Sequence, residues 1–357
     1  MTRKVVVFLL SSQFNTRHAE RIGVEEYKAA GIDFFIWECL FDGGQTMGCR
    51  VADPKAGSAV VRLSSNKCLR EALSRLEGRV VYFIDSLGVN LSARITRFCI
   101  KRKGHNIGLL RIQHLVEPKQ GLLKQAYKKI KSAKGLYIRI INLCLKLTFP
   151  AVKYDFIIYA GAKYRGKKIP KNIETCSYDV ATFNNMTPYE KNVEKYGSYG
   201  QRYIVFLDNG SYVHPDGDEC QLYIKGDLIS FTNNLKKAFG HLEEQLQAQV
   251  IIAAHPKVPR DHYLRFYSDY LVEYGQSAAL TKGAVASCMI NSASVSFAVL
   301  ANKPLYILTD RNHEESYIGD YQMAVATELG TMVLDIQKLV EIQELFTCIE
   351  GYAKFVE

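Results

Sequence analysis

The chain has 357 residues, of which 48% are hydrophobic and 23% are charged. This composition is typical of a soluble globular protein, and the length allows two domains. No signal peptide is predicted, because the apolar run Val5–Leu10 is too short and no cleavage site of small residues follows it. The nine cysteines include no Cys-x-x-Cys pair, which argues against a zinc site or a disulfide framework and favours a cytoplasmic location.

The formal net charge of +10 comes from one segment of the chain. Between Lys101 and Lys153 there are 13 Lys or Arg residues and one acid, Glu117, so this segment carries +12 and the rest of the chain −2. A basic patch can indicate nucleic-acid binding. The segment contains no RRM, KH, zinc-finger or helix-turn-helix pattern, so we keep that function as an alternative and expect no nucleic-acid partner.

The first half of the chain alternates strands with helices. Strands are expected at 4–10, 32–40, 79–85, 105–112 and 154–161, with helices at about 19–30, 69–76 and 92–101. This alternation predicts an α/β domain with a mainly parallel sheet. Asp85 stands at the end of the third of these strands, and we interpret it as part of an ordinary turn.

A basic amphipathic helix is predicted within residues 120–149. Apolar residues recur there at spacings of three and four, and lysines fill the other side, including Lys124, Lys128, Lys129 and Lys131. The apolar part is too short to cross a bilayer. It could lie on an anionic membrane, where each basic residue contributes roughly 1 kcal/mol, or it could pack on its own domain with a solvated charged face.

The second half again alternates strands with helices. Strands are expected at 202–207, 249–254, 270–272, 305–309 and 331–335, with helices at about 229–247, 260–267, 317–329 and 336–355. A strand, a serine-rich turn and a helix occupy the segment around 290–300. The polar stretch 171–201 contains the predicted boundary, which gives an N-terminal domain at 1–195 and a C-terminal domain at 196–357. The pattern predicts two Rossmann-like domains facing each other across a cleft.

Polar residues follow three of the strands predicted in the second half. Asp208 follows the first strand, His255, Pro256 and Lys257 follow the next, and a serine group lies farther along the chain, at Ser292, Ser294 and Ser296. Ligands of open α/β sheets bind beyond the carboxyl ends of the strands. A serine turn that leads into a helix offers hydroxyls, free N–H groups and a positive dipole end. These strand ends therefore predict a site for a nucleotide phosphate.

At these residues the sequence resembles the bacterial GT-B sialyltransferase-like enzymes and related glycosyltransferases of capsule and lipopolysaccharide assembly. Those families carry an acidic D/E-D/E-G motif, an HP motif and a serine motif, in that order. Asp208-Asn209-Gly210 stands at the acidic motif with Asn in its second place, and His255-Pro256 stands at the HP motif. Ser292, Ser294 and Ser296 correspond to the serine motif. The resemblance covers mainly residues 203–310.

The resemblance implies a role for each of these residues. Asp208 would be the general base that deprotonates the acceptor hydroxyl, a role that suits a carboxylate with a raised pKa. His255 would bind the leaving phosphate or protonate it, with Pro256 shaping the turn, and Lys257 and the serines would contact the phosphate. Asp208 could instead cap an Asx turn. The alternative candidates for the general base are Asp179, His214 and Asp216.

The favoured function is therefore an inverting, metal-independent glycosyltransferase without a cofactor. Its donor would be a CMP-linked sugar, a nonulosonate or Kdo, and its acceptor a surface glycan or lipid-linked glycan at the cytoplasmic face of the inner membrane. The alternatives are a UDP-sugar-dependent transferase or an enzyme like UDP-GlcNAc 2-epimerase. An epimerase needs neither an acceptor nor a membrane, so it would not account for the basic helix.

Overall fold

We describe the fold from a computed structural model. It describes residues 4–12, 14, 16–40, 60–87, 91–111, 149–160, 171–186, 202–210, 213, 227–313, 316–338 and 352. The chain divides into two compact units. Of the described residues, those up to 111 and those at 149–176 belong to the first unit, and those from 177 onwards belong to the second.

The first unit is built on a parallel sheet. Its described strands are β1 Lys4–Leu10, β2 Asp33–Cys39, β3 Val60–Leu63, β4 Val80–Asp85, β5 Asn106–Arg111, β6 Phe156–Tyr159 and β7 Asn172–Glu174. They are arranged in the order β3-β2-β1-β4-β5-β6-β7, and every neighbouring pair is parallel. The described helices are α1 Thr16–Ile22, α2 Val24–Ala29, α3 Asn66–Ser74 and α4 Leu91–Arg102. The central strands are rich in Val, Ile, Leu and Phe because both faces of a parallel sheet are covered.

A buried carboxylate ends strand β4. Asp85 is 0% exposed, and its Oδ2 accepts from Arg97 Nε at 2.6 Å and from the Tyr154 hydroxyl at 2.7 Å. Its Oδ1 accepts from Leu87 N at 2.9 Å, and the Arg97 guanidinium also donates to Leu87 O. Asp85 therefore does shape a turn, as the sequence suggests, but it does so as one half of a buried ion pair.

The second unit has a parallel sheet of its own. Its described strands are β8 Tyr203–Leu207, β9 Gln249–Ala254, β10 Leu271–Tyr274, β11 Ala286–Met289, β12 Leu305–Thr309 and β13 Val333–Asp335. Their order is β10-β9-β8-β11-β12-β13. The described helices are α5 Tyr178–Asn185, α6 Leu228–Leu246, α7 Arg260–Phe266, α8 Ser277–Gly283, α9 Val295–Leu300 and α10 Tyr317–Leu329, with a 3₁₀ turn at Arg311–His313. The predicted pair of parallel-sheet α/β domains is thus confirmed.

Strand β8 lies at the centre of this unit and all five of its residues are buried. Phe206 faces the core on one side of the sheet and packs edge-on against Phe239 of α6, with ring centroids 4.9 Å apart. Tyr203 and Val205 face the core on the other side. Because successive side chains of a strand point to opposite faces, such a strand needs apolar residues at every position.

Helix α5 lies within the stretch that the sequence analysis treats as a turn-rich boundary. It belongs to the second unit, where Phe183 stacks on Phe297 of α9 at 6.5 Å. Lys282 Nζ donates to the backbone oxygens of Phe183 and Met186 at the end of α5. In the structure the boundary between the two units therefore lies between residues 176 and 177. The boundary predicted from the sequence lies between residues 195 and 196.

The described helices include none that is long and apolar enough to cross a membrane. The predicted basic helix at 120–149 lies outside the described residues, apart from Phe149. The predicted closing helices at 336–355 are described only at 336–338 and at Tyr352, which is buried.

Candidate functional site

The order of strands in the second sheet reverses direction at one point. Chain connections run from β8 to β10 in one direction and from β11 to β13 in the other, so the direction reverses between β8 and β11. Ligands of open parallel sheets bind beyond the carboxyl ends of the strands at such a point. Leu207 pairs with Met289 of β11 and with Ala253 of β9. The three strands therefore end at the same edge of the sheet, and the predicted polar residues follow each of them.

Asp208 directly follows β8 and is partly buried. Its Oδ1 accepts from Gly210 N at 3.0 Å, which closes an Asx turn, and its Oδ2 accepts from the Tyr263 hydroxyl at 2.6 Å. Gly210 has a φ of 64°, a left-handed conformation that favours glycine. Burial raises the pKa of Asp208, while the Tyr263 and Gly210 hydrogen bonds oppose that shift. A carboxyl group of this kind can take up and release a proton closer to neutral pH.

Tyr263 connects this carboxylate to the neighbouring strand end. It lies on α7 and is 1% exposed. Its hydroxyl accepts from the backbone N of His255 at 2.8 Å while it donates to Asp208. Burial and the charge of Asp208 raise the pKa of Tyr263, so its hydroxyl stays protonated. Tyr263 is not predictable as a site residue from the sequence, because an aromatic residue on the apolar face of a helix carries no signal that separates it from ordinary core residues.

The His-Pro-Lys segment begins where β9 ends. His255 is partly buried, whereas Pro256 and Lys257 are exposed. His255 Nδ1 accepts from Lys257 N at 3.3 Å. Since Nδ1 acts as the acceptor, the neutral ring carries its proton on Nε2 and can donate it to an anion.

Ser292 and Ser294 form the turn after β11. Ser292 is buried, and its hydroxyl oxygen accepts from Ser294 N at 3.3 Å. Ser292 O accepts from the Tyr321 hydroxyl of α10 at 3.2 Å. Ser294 is partly buried and precedes α9 without capping it through its side chain. The predicted serine turn is therefore present at the expected edge of the sheet.

Ser296 and Asp179, predicted as a phosphate ligand and as an alternative base, contact each other. Ser296 is 4% exposed and lies inside α9. Its hydroxyl donates to Asp179 Oδ2 of α5 at 2.6 Å. This bond holds the first turn of α5 against α9, and it commits the Ser296 proton to the carboxylate.

Gln322 on α10 links the ends of β11 and β12 and is not among the residues predicted from the sequence. It is 1% exposed, and its Nε2 donates to Ile290 O at 2.9 Å and to Leu308 O at 2.7 Å. Its Oε1 accepts from the Thr309 hydroxyl at 2.8 Å. A buried amide with all these partners rigidifies the edge of the sheet at β11 and β12.

His313 closes the turn after β12. It is 0% exposed, its Nδ1 accepts from Asp310 N at 3.2 Å, and its ring packs 5.8 Å from the ring of Phe231. Burial lowers the pKa of His313 to about 4. It is therefore neutral near pH 7 and stabilises the turn.

The remaining predicted residues lie outside the described part of the chain. They are His214, Asp216, Lys124, Lys128, Lys129 and Lys131. Within the described residues, no group of three or more His, Cys, Asp or Glu side chains is arranged to hold a metal ion.

No known protein family matches the sequence, and neither does any curated protein. Several solved structures share the fold. CalG4, the calicheamicin glycosyltransferase, is 10% identical over 99% of this chain and 92% of its own, with a TM-score of 0.54. The glycosyltransferase of kitacinnamycin is 10% identical over 94% of this chain and 86% of its own, with a TM-score of 0.52. MnaA from S. aureus, solved with UDP, is 12% identical over 100% of this chain and 90% of its own, with a TM-score of 0.51.

These similarities extend over almost the whole chain, so both units take part in them. The fold is that of the GT-B class, two Rossmann-like α/β domains with parallel sheets. The comparisons contain no sequence match to sialyltransferase-like enzymes.

Proposed function

We propose that this protein is a glycosyltransferase that uses a nucleotide-linked sugar as its donor. The observation that carries the proposal is Asp208. It is a carboxylate with a raised pKa at the end of the central strand, beside the point where the sheet reverses direction. The GT-B fold supports the proposal, since two of the similar structures are glycosyltransferases by name.

The reaction would proceed with inversion at the sugar. The acceptor hydroxyl attacks the anomeric carbon, a new C–O bond forms there, and the bond from that carbon to the phosphate oxygen breaks. Asp208 takes the proton of the attacking hydroxyl. The nucleotide leaves with the bonding electrons, and its phosphate would be bound by His255 Nε2–H, by Lys257 and by the Ser292–Ser294 turn. No step requires a metal or a cofactor.

We propose UDP rather than CMP as the nucleotide. A UDP-bound protein is among the similar structures, and none of those described above is named for a CMP-linked sugar. The UDP-sugar alternative is therefore better supported than the CMP-linked nonulosonate or Kdo first expected. Because an epimerase of UDP-linked sugars would bind the same nucleotide, an epimerase-like activity is the second candidate. It would be recognised by turnover of the sugar nucleotide without an acceptor.

A thermal-shift panel tests the nucleotide. UDP, CMP, GDP, UDP-GlcNAc and a short RNA are compared at one salt concentration. A ligand at 100 times its dissociation constant stabilises the native state by about 2.7 kcal/mol. We expect UDP and UDP-GlcNAc to raise the melting temperature, and His255→Ala to reduce that response. A response to CMP alone would restore the CMP donor, and a response to RNA alone would overturn the proposal.

We propose the kind of acceptor from the charge of the basic segment at 101–153. A lipid-linked or surface glycan at the cytoplasmic face of a membrane would suit a protein with a +12 segment. Flotation with anionic vesicles tests this, with a variant neutralised at Lys124, Lys128, Lys129 and Lys131 as the control. If the parent protein does not float with the vesicles, membrane association is excluded.

A further inference from the structure

The hydroxyl of Tyr263 stands between the two strand ends that carry the proposed chemistry. Its oxygen is 2.6 Å from Asp208 Oδ2 and 2.8 Å from the backbone N of His255. Its ring belongs to the core beneath the sheet. A rigid, buried side chain therefore holds both strand ends from one point.

The direction of these two hydrogen bonds is determined by the groups involved. A backbone N–H can only donate, so the Tyr263 oxygen accepts from His255. An ionised carboxylate can only accept, so the Tyr263 proton is directed at Asp208. Because burial and the charge of Asp208 raise the Tyr263 pKa, this hydroxyl is a neutral donor near neutral pH.

We propose that Tyr263 is a positioning residue for Asp208, which it orients and aligns with the turn that carries His255. This inference rests on the proposed function, in which Asp208 takes the acceptor proton. A carboxylate has about four acceptor positions. Gly210 N and the Tyr263 hydroxyl each use one, on different oxygens, and the backbone of Asn209 also hydrogen-bonds to the carboxylate. A remaining position can receive the hydroxyl of the acceptor.

The charged and aromatic groups near this pair include His262, Tyr274 and Arg260. His262, next to Tyr263 on α7, favours the ionised form of Asp208 when protonated, but burial lowers its own pKa. From β10, Tyr274 packs edge-on against the Tyr263 ring at 5.7 Å, and Arg260 lies over the Tyr274 ring at 4.8 Å. Among the described residues, none forms an ion pair with Asp208. The Tyr263 hydroxyl is thus the strongest opponent of the burial that raises the Asp208 pKa.

The test is Tyr263→Phe, which keeps the ring in the core and removes the hydroxyl. We expect the Asp208 pKa to rise by about 1–2 units, the value of one hydrogen bond to a charged group. In a plot of kcat/KM against pH, the ascending limb should move to higher pH by the same amount. Activity should therefore fall about 10- to 100-fold at pH values below the parent pKa, by less between the two pKa values, and recover above the new one.

Tyr203→Phe is a matched control on β8. Tyr203 is 2% exposed, and its hydroxyl donates to Leu280 O at 2.9 Å, so the variant also loses one buried hydroxyl bond. Its ring lies on the opposite face of the sheet from that of Tyr263. We expect it to lower the melting temperature and to leave the pH profile unchanged.

A ¹³C NMR titration of the Asp208 carboxyl group, assigned through Asp208→Asn, gives a reading that does not depend on turnover. A higher midpoint in Tyr263→Phe, together with a shifted kcat/KM limb, supports the inference. An unchanged midpoint overturns it, and so does a shifted midpoint with an unshifted limb. If the parent protein transfers no sugar from any donor, the proposed function fails, and the titration still shows whether the Tyr263 bond controls Asp208.

If Tyr263→Phe does not fold, 3-fluorotyrosine at position 263 replaces it. The fluorine makes the phenol a stronger donor without removing it. The Asp208 midpoint and the kcat/KM limb should then move to lower pH. Movement to higher pH, or none, would overturn the inference.

Discussion

Asp85 and Asp208 are the same residue type in the same kind of position. Each stands at the carboxyl end of a parallel strand beside the point where its sheet reverses direction. Asp85 is 0% exposed and meets the guanidinium of Arg97 at 2.6 Å. Asp208 is partly buried and meets the neutral Tyr263 hydroxyl and the backbone N–H of Gly210.

The difference lies in how the negative charge is compensated. An adjacent guanidinium stabilises the ionised form of a buried carboxylate and makes it a structural element. Neutral hydrogen-bond donors stabilise the negative charge less than a guanidinium does, so burial keeps the pKa of Asp208 raised. A strand-end aspartate is therefore a candidate base when it has hydrogen bonds but no cation.

The largest effect is expected from Asp208→Asn. It keeps the shape of the side chain and one acceptor oxygen for Gly210, but it removes the carboxylate that we propose as the proton acceptor. Loss of a general base lowers turnover by about 10²- to 10⁴-fold. Nucleotide binding, measured by thermal shift with UDP, should be nearly unchanged. A variant that also loses nucleotide binding would show that Asp208 is structural, as Asp85 is.

Asp179→Asn is the control for that experiment. Asp179 is the described rival base, and its carboxylate accepts from Ser296. We expect turnover to stay within a few-fold of the parent value. If Asp179→Asn abolishes transfer and Asp208→Asn does not, the two assignments must be exchanged.

Arg97→Met should have the next largest effect, and on stability alone. It leaves Asp85 buried without its cation, which costs about 3–5 kcal/mol. The control is Lys103→Met. Lys103 pairs with Glu77 at 2.8 Å, and their side chains are 48% and 60% exposed, against 12% and 0% for Arg97 and Asp85. The expected loss is much smaller, because water solvates both charges of an exposed pair. Equal losses of unfolding free energy in urea would refute the proposed role of burial.

The smallest expected effect is on the pH dependence of stability. The pKa of Asp208 is raised above the ordinary 3.8 in the folded protein. The folded state therefore binds this proton more tightly than the unfolded state. The stability that this tighter proton binding contributes is fully present below pH 3.8 and is lost as the pH rises through the raised pKa. The melting temperature of the parent relative to Asp208→Asn should fall over that window. A constant difference would mean that burial does not raise this pKa.

Most strands could be predicted from the sequence, because runs such as Val5–Leu10 and Val250–Ala254 are apolar at nearly every position, as parallel strands buried on both faces must be. Strand β7 and helix α5 could not. All three residues of β7 are exposed, so it has no apolar pattern. Helix α5 has Phe183 as its buried hydrophobic residue, and it forms because Asp179 and Lys282 hold its two ends to neighbouring elements.

The candidate site was predictable where its residues follow strands directly. Asp208 and His255 stand out because a charged residue, a turn and a proline interrupt apolar runs. Tyr263 and Gln322 do not stand out. Each lies on a helix whose apolar face hides such a residue among ordinary core positions. The most distant partner of Tyr263 is 55 residues away, and that of Gln322 is 32 residues away.

The sequence by itself determined the two alternating α/β units and the polar residues that follow their strands, because hydrophobic periodicity and turn chemistry are local properties of the chain. Only the tertiary structure decided which of those residues meet. It paired Asp85 with Arg97, Ser296 with Asp179, and Asp208 with Tyr263. Whether a buried carboxylate is neutralised by a cation or held by neutral donors depends on the order of the strands and the packing of the helices, and neither of these is a local property.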